Sequence, residues 1–238
     1  WPNLDQNETG SYTQNEVDCT DGRVIKIRLV SINVTGPLPV ELAELEELQI
    51  LDISRGSDLT GTIPNEYKKL TNLQIIQLRN SLTGTFPLWD LPKLKSANLG
   101  GNKMTGTFPE VLPATMEVAG FYLNRFTGTL PRLPEDSKAR FVFFDGNNME
   151  GTIPASIFEN AAGLEEFWVS ENAGINGTIP TEVGLAGSTL TWFVTNDCQL
   201  SGEIPTQFFD LTSLERAYLQ RNDHSGAISP LIGNMQKL

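Results

Sequence analysis

One short motif recurs along almost the whole sequence at intervals of 22 to 26 residues. It is a glycine followed three residues later by a proline, as at Gly106 and Pro109 in the stretch LKSANLGGNKMTGTFP. A unit of this length cannot bury its apolar side chains alone, so successive copies must stack on a shared core. The period therefore predicts a repeat solenoid. The repeats are marked by Gly36, Gly61, Gly84, Gly106, Gly128, Gly151, Gly177, Gly202 and Gly226.

Each position within the repeat has a physical role. Ala97 and Leu99 alternate with a polar residue, which predicts a short strand whose apolar side chains enter the core. Asn102 stands four residues before the glycine, where an inward amide can pair the backbone groups of a buried turn. The glycine permits positive φ at the next corner, and the proline cannot extend a sheet. The same asparagine slot holds Asn124, Asn147 and Asn222.

The pattern resembles one repeat type closely. The runs LEELQILDISRGSDLTGTIP and LTSLERAYLQRNDHSGAISP are similar to the plant-type extracellular leucine-rich repeat of receptor-like kinases, receptor-like proteins and polygalacturonase inhibitors. This resemblance covers residues 24–238. It implies an α/β repeat solenoid, namely a right-handed leucine-rich-repeat horseshoe of about nine repeats with a parallel β-sheet on its concave face. It also implies an extracellular protein, secreted or on the cell surface, that recognises a protein, peptide or hormone.

Composition narrows the function further. The chain has 17 basic and 29 acidic residues, a net charge of −12, which argues against binding to nucleic acid or to anionic membrane surfaces. No apolar run is long enough to cross a bilayer. Three sequons, at Asn7, Asn33 and Asn176, predict N-glycosylation of an extracellular protein.

The two cysteines are not expected to bond with each other. Cys198 occupies the asparagine slot of its repeat, whereas Cys19 precedes the first repeat. Seven strand spacings of about 4.8 Å place them about 34 Å apart, and a disulfide needs Cα atoms within about 7 Å. The resemblance implies that Cys19 is the second cysteine of an N-terminal cap pair, whose first cysteine lies upstream of Trp1 or is absent.

The chain divides into a cap and an array. Residues 1–23 are polar and are predicted to form an N-terminal cap, with Trp1 or Tyr12 shielding the first strand; a disordered leader is the alternative. Residues 24–238 form the array, with no C-terminal cap after Leu238. We therefore expect a fragment whose open end is covered by further repeats or by a partner.

The candidate site lies on the concave face. From the fifth repeat onward, aromatic and charged residues replace the small polar ones that flank the inward strand positions. Exposed aromatic side chains beside a few charges are typical of an interaction site, here for a protein, peptide or glycan. The alternative is that the rings only stack along the sheet and stiffen it. The candidate residues are Tyr122, Phe141, Phe143, Asp145, Glu166, Trp168, Trp192, Arg216 and Tyr218.

Enzymatic chemistry is not expected. The single histidine, His224, falls in an apolar slot, and no catalytic order, metal-ligand cluster or phosphate loop is present. We therefore predict no catalytic residue, no metal and no cofactor. The alternative function is a structural one, in which the array is an assembly module of a cell-surface, wall or filament complex.

A threonine follows the marker glycine in six consecutive repeats. Such a column could match a repeating lattice such as ice, which makes ice binding a minor alternative function. The simpler interpretation is a second short ladder on the side of the solenoid, where β-branched residues fit. The column consists of Thr62, Thr85, Thr107, Thr129, Thr152 and Thr178.

Overall fold

The computed structural model describes residues 15–54, 58–79, 81–87 and 89–238. The predictions for Trp1, Asn7 and Tyr12 lie outside these residues. The described strands, in chain order, are β1 Glu16–Thr20, β2 Arg23–Val30, β3 Thr35–Pro37, β4 Ile50–Ser54, β5 Asp58–Thr60, β6 Ile75–Leu78, β7 Ser96–Asn98, β8 Thr105–Gly106, β9 Val118–Gly120, β10 Arg125–Thr129, β11 Phe141–Phe143, β12 Asn148–Gly151, β13 Glu166–Trp168, β14 Gly174–Gly177, β15 Trp192–Val194, β16 Gln199–Glu203, β17 Arg216–Tyr218 and β18 Asp223–Ser225.

Short helices alternate with these strands on the opposite side of the solenoid. Within the described residues one is an α-helix, α1, and five are single 3₁₀ turns, and none is long and apolar enough to cross a bilayer. Most of the 3₁₀ turns begin directly after the repeat proline, whose fixed φ suits the start of a turn. The helices are Val40–Glu44, Asn65–Lys69, α1 Ser156–Glu159, Thr181–Ala186, Thr206–Asp210 and Pro230–Asn234.

The main sheet confirms the predicted repeat solenoid. Among the described residues it has ten strands, in the order β1-β2-β4-β6-β7-β9-β11-β13-β15-β17. All pairs after the first are parallel and in repeat register, so that Ala97 lies opposite Ala119 and Val142 opposite Phe167. Equivalent side chains therefore form columns along the concave face.

The N-terminal edge of this sheet is covered. Strand β1 pairs antiparallel with β2, so that the first parallel strand does not expose an open edge on that side. Lys26 pairs with Glu16 and lies 3.6 Å from Asp18, and Arg28 lies 3.3 Å from Glu16. These described residues are the part of the predicted cap that contacts the array.

The core is a continuous column of inward side chains. Leu51, Ile76, Ala97 and Ala119 are almost fully buried, as the period-two pattern predicts. In the later repeats the inward residues are aromatic, and their rings contact each other edge-on or tilted. This inner aromatic core consists of Phe86, Trp89, Phe108, Phe121, Phe126, Phe144, Phe158, Phe167, Phe193, Phe208 and Phe209.

The predicted asparagine ladder is present. Asn147 shows the pattern: its amide nitrogen donates to the carbonyl oxygens of Phe121 at 3.0 Å and Phe144 at 2.9 Å, and its Oδ1 accepts from the Phe126 N–H at 3.0 Å. The amide thus joins its own turn to the preceding repeat. Asn102, Asn124 and Asn222 bond in the same way.

Two other rungs complete the ladder. Asn172, which the fixed offset from glycine missed, is fully buried and donates to the carbonyls of Phe144 and Val169. The extra residue of its repeat lies between Asn172 and Gly177 and therefore shifts the slot by one. Cys198 occupies the predicted slot, with its thiol 3.4 Å from the Val169 carbonyl, and both Cys198 and Cys19 are free thiols.

A second sheet runs along the side of the solenoid. Six of the described strands form it in the order β18-β16-β14-β12-β10-β8, and β3 pairs with β5. Its register is shifted by two residues per repeat, since Gly128 lies opposite Met149 rather than Gly151. The marker glycines at this corner all have positive φ, between 75° and 98°. Of the threonine column, Thr129 lies on strand β10 of this sheet and Thr62 forms an isolated bridge with Thr83, whereas the other four lie outside the strands.

Removing one ladder amide tests the fold. We expect Asn147→Ala to lower the free energy of unfolding by about 1–3 kcal/mol, because buried carbonyls and one N–H lose their partner. Urea denaturation monitored by circular dichroism measures the change. The adjacent Asn148→Ala is the control, because Asn148 is exposed. Equal midpoints for the two variants would contradict a stabilising role for the ladder.

Candidate functional site

The structure brings the predicted site residues together on the concave face. Glu166 lies between Phe141 and Trp192 in one cross-strand row, which Arg216 continues. In the next row Trp168 lies between Phe143 and Val194, and Tyr218 follows. Tyr122 and Asp145 stand just after β9 and β11. The nine residues thus span five consecutive strands.

The rings in these rows form one continuous series. Phe143 meets Trp168 edge-on with ring centroids 5.1 Å apart, and Trp168 stacks on Trp192 at 5.4 Å and 21°. Phe141 and Phe143 are 6.2 Å apart, and Trp192 and Tyr218 are 6.5 Å apart. We call this series the concave aromatic ladder; it comprises Phe141, Phe143, Trp168, Trp192 and Tyr218.

The expectation that all these rings are exposed is wrong for the first part of the site. Phe141 is 2% exposed, Phe143 1% and Tyr122 4%, and they pack with Val118 in a cluster separate from the inner core. Residues on neighbouring strands of a sheet lie close enough for large rings to cover one another. Trp168 and Trp192 are half-buried, and Tyr218 is 40% exposed. The accessible part of the ladder is therefore its C-terminal end.

Arginine side chains cover several of the rings. The Arg216 guanidinium lies 4.1 Å from the ring centroid of Trp192 and is exposed. The Arg140 guanidinium lies 5.0 Å from the ring of Phe141, and its Nε donates to Glu165 at 2.7 Å. A cation over an aromatic face is attracted by the ring quadrupole. Arg216 was predicted, whereas Arg140 comes from a strand-entry position outside the columns used in the sequence analysis.

Tyr122 fits the face only because a glycine faces it. A Cβ added to Gly100 would lie 2.0 Å from the ring of Tyr122, far closer than any contact distance. The Arg79 guanidinium lies 5.3 Å from the same ring centroid. The Tyr122 ring therefore lies over Gly100 of the preceding repeat and covers that part of the concave face.

Two carboxyl groups lie among the rings. Burial raises the pKa of Asp145 to about 7, and the nearby charge of Glu171 acts in the same direction. Its Oδ1 is buried and has no hydrogen-bond partner among the described residues. Burial also raises the pKa of Glu166. These groups give the otherwise apolar face two sites that favour a hydrogen-bond donor or a cation.

An open pocket of 640 Å³ lies beside this face, at the turns that follow the strands. Its charged lining includes Glu150, Glu171 and Asp197, and Arg221 lies 2.9 Å from Asp197. Glu171 is also the residue whose negative charge helps to raise the pKa of Asp145. The concave face is therefore bordered by a mostly acidic rim near its later repeats.

The remaining candidate positions lie elsewhere. Asn33 and Asn176 are exposed, and Asn176 is on β14 of the side sheet, so a glycan there would leave the concave face open. His224 is partly buried on β18. In the described ranges no group of three or more histidine, cysteine or acidic side chains is placed to hold a metal ion.

The contact between Tyr122 and Gly100 predicts a coupled pair. We expect Gly100→Ala to lower the midpoint of urea unfolding, because the added methyl group collides with the ring. In a chain that already carries Tyr122→Ser, Gly100→Ala should lower the midpoint much less, because the ring that the methyl group meets is absent. A double-mutant cycle measures the coupling. Additive effects of the two changes would contradict the contact.

The raised pKa of Asp145 predicts a pH-dependent stability. The carboxyl ionises near its usual value of 3.8 in the unfolded chain but near 7 in the folded chain. The folded chain therefore binds the extra proton, and this group makes the free energy of unfolding fall as pH rises between these values. The unfolding temperature of Asp145→Asn, measured relative to that of the wild type, should therefore be higher at about pH 8 than at about pH 4. The exposed Asp136→Asn is the control, and parallel pH curves for all three proteins would refute the shift.

Solved structures show the same architecture. The plant peptide hormone receptor RGFR1, in complex with RGF2, is 29% identical, with 88% of this chain and 34% of the receptor covered and a TM-score of 0.79. A TDR receptor is 27% identical, with 90% and 37% covered and a TM-score of 0.80. A plant ice-binding protein, 23% identical with 90% and 77% covered and a TM-score of 0.62, shows the shared fold alone. No family model matches the sequence, and neither does any curated protein.

These likenesses agree with the repeat pattern. The chain spans about a third of the length of the two receptor structures. In this chain the parallel sheet, the asparagine ladder and the positive-φ glycine corner are the features that the sequence motif predicts. The resemblance of this chain to the plant-type extracellular leucine-rich repeat family, which the repeat motif predicts, is therefore confirmed.

Proposed function

We propose that this chain is an extracellular recognition module that binds a peptide or protein ligand, without catalysis, on the concave face. The site is the accessible end of the concave aromatic ladder, formed by Trp168, Trp192 and Tyr218. Arg216 and Glu166 supply charges of opposite sign beside these rings. A ligand would lie across the strands, with its apolar groups on the rings and its polar groups between the two charges.

The observation that carries this proposal is the presence of two separate aromatic layers. The inner aromatic core already fills the solenoid, and the concave aromatic ladder lies outside it on the opposite side of the sheet. Rings on this outer face are not needed to fill the core, and partly exposed Trp, Tyr and Arg are the residues that dominate binding energy at interfaces. A glycan ligand would use the same rings, and it is the competing ligand class.

The likeness to receptors supports this class of ligand. RGFR1 is described as a plant peptide hormone receptor, and the HAESA ectodomain of Arabidopsis was solved with a peptide hormone ligand. Because this chain covers only part of those ectodomains, their ligands and co-receptors are not transferred to it. For this chain we propose only that it is an extracellular protein that binds a ligand without catalysis.

A second candidate function is assembly. The last turn of the described array exposes apolar side chains, and Ile228 is 79% exposed. Leu231, Ile232 and Leu238 are also exposed there. An apolar end of this kind could pack on further repeats or on another subunit of a surface complex. Association that depends on protein concentration and is lost with Ile228→Glu would favour this function over ligand recognition.

The recognition site is tested by truncating its rings. The glycosylated protein is screened by biolayer interferometry against secreted peptides and, in a separate arm, cell-wall oligosaccharides. We expect a peptide to be captured, and Trp168→Ala/Trp192→Ala to weaken that capture tenfold or more, as truncation of hot-spot residues costs about 2 kcal/mol or more.

A matched control separates binding from folding. Leu185→Ala removes an exposed apolar side chain far from the concave sheet and should bind as the wild type does. Thermal unfolding of each variant checks that the array remains intact. Capture of oligosaccharides only, or equal capture by the double variant and the wild type, would overturn the proposed peptide site.

A further inference from the structure

One carboxyl oxygen on the concave face is buried without a hydrogen bond. Asp145 stands two residues after Phe143, the last residue of β11, and its Oδ1 has no hydrogen-bond partner among the described residues. A buried acceptor without a donor costs free energy, and most structures avoid it. The residue as a whole is only partly buried. A donor that a ligand brings to this carboxyl group would therefore remove a cost that the unbound protein has.

A second carboxyl group lies close to this one. Glu171 is exposed at the turn after β13, and its negative charge acts on Asp145. In the described ranges neither carboxyl group forms an ion pair, and Arg221, which Glu171 attracts, is held 2.9 Å from Asp197. Two neighbouring carboxylates repel each other, and a cation placed between them relieves that repulsion. The pair therefore favours a ligand with a positive charge.

The ring of Trp168 lies beside the two carboxyl groups. Trp168 is opposite Phe143, so Asp145 is its diagonal neighbour on the next strand, and Glu171 follows it by three residues. Diagonal neighbours on one face of a sheet are about 7–8 Å apart, which long side chains can span. Phe143 and Trp192 hold the half-buried ring, with centroids 5.1 and 5.4 Å away. Its accessible edge therefore offers fixed apolar surface to the methylene groups of a lysine or arginine.

The open pocket at the rim lets a ligand approach the same carboxyl groups from beside the sheet. Glu171 lines this pocket of 640 Å³ together with Glu150 and Asp197. Because the chain has a net charge of −12, its field attracts a cation before contact is made. A ligand that crosses from the concave aromatic ladder to the rim therefore meets Asp145 and Glu171 in turn.

The opposite end of the site has the opposite charge. The Arg216 guanidinium lies over the Trp192 ring, and Arg216 is on β17, whereas Asp145 follows β11. These two strands are three spacings apart in the main sheet, which is about 14 Å. A basic group of the ligand is repelled by Arg216 and attracted to the Asp145 end. The two ends together favour one orientation of a charged ligand.

We propose that the ligand of the concave face is a peptide with a lysine or arginine, whose charged group binds Asp145 and Glu171 beside the Trp168 ring. We call these three residues the cation subsite. The inference rests on the proposed function, because it names a chemical feature of the ligand of that same site. An organic cation suits the subsite better than Ca²⁺, which takes about six to eight oxygen ligands and has no use for the apolar edge of a ring.

The test compares peptides that differ only in one charge. Three pools of octapeptides are capped at both ends and randomised among uncharged residues, except for a central lysine, norleucine or glutamate. Norleucine keeps the methylene groups of lysine without the charge. By biolayer interferometry we expect the wild type to bind the lysine pool about tenfold or more tightly than the norleucine pool. Asp145→Asn and Glu171→Gln should each reduce this ratio severalfold.

A matched variant separates the cation subsite from the general charge of the chain. Asp136→Asn removes one negative charge at an exposed position off the concave face, and it should keep the wild-type ratio. Thermal unfolding of every variant checks that the array is folded. A lysine preference that is equal in Asp145→Asn and Asp136→Asn would report only the net charge and would overturn the subsite.

The pH dependence of binding gives a second readout. Burial and the charge of Glu171 raise the pKa of Asp145 to about 7, and only the ionised carboxyl group pairs with a cation. Lysine keeps its charge over this range, so the ratio of lysine-pool to norleucine-pool binding should rise about tenfold between pH 6 and pH 8. In Asp145→Asn the rise should be lost. An equal rise in Asp145→Asn and the wild type would contradict the assignment of this residue.

The remaining outcomes distinguish the cation subsite from the peptide site itself. Equal binding of the lysine and norleucine pools by the wild type, lost in Trp168→Ala/Trp192→Ala, would overturn the subsite and leave the proposed peptide site in place. Tighter binding of the glutamate pool than of the lysine pool would also overturn the subsite. Failure of the wild type to capture any pool would overturn both proposals together.

Discussion

The structure depends on pairing the backbone groups of turns that are buried between stacked repeats. Each repeat turns sharply inside the solenoid, where water cannot reach its carbonyl and N–H groups. A single asparagine amide satisfies them and connects adjacent repeats, and Asn124, Asn147 and Asn172 are all at most 8% exposed. Where Cys198 takes the slot, only a weak thiol donor remains. From Asn102 onward, the ladder therefore ties each repeat to the one before it.

The fold could be predicted from the sequence because the same residue pattern recurs in successive repeats. The marker glycine recurs nine times and the proline after it eight times, and ladder amides recur through the later repeats, so one irregular repeat cannot obscure the period. Asn172 was missed for a local reason: an extra residue near Ala173 changes its distance from Gly177. The two-residue shift of the side sheet was not predictable either, because it arises from the path of the chain between the sheets.

The site was predicted less completely than the fold. Strand periodicity identified which residues share the concave face, and the rings of Phe143, Trp168 and Trp192 do meet there. Periodicity does not report how far a large ring reaches, so the burial of Phe141 and Phe143 was missed. The raised pKa of Asp145 was missed for the same reason, since it follows from what covers the carboxyl group. Residue direction is a local property, whereas exposure depends on several repeats at once.

The contact between a threonine methyl group and the glycine of the next repeat has an evolutionary consequence. Thr62 and Gly84 belong to different repeats, yet each limits what the other can become. An array that grows by internal duplication copies both partners together, so that a new repeat fits its neighbours from the start. A crossover that joins repeats out of phase would separate the partners and place a side chain where only glycine fits. This contact therefore favours inheritance of the array in whole-repeat steps.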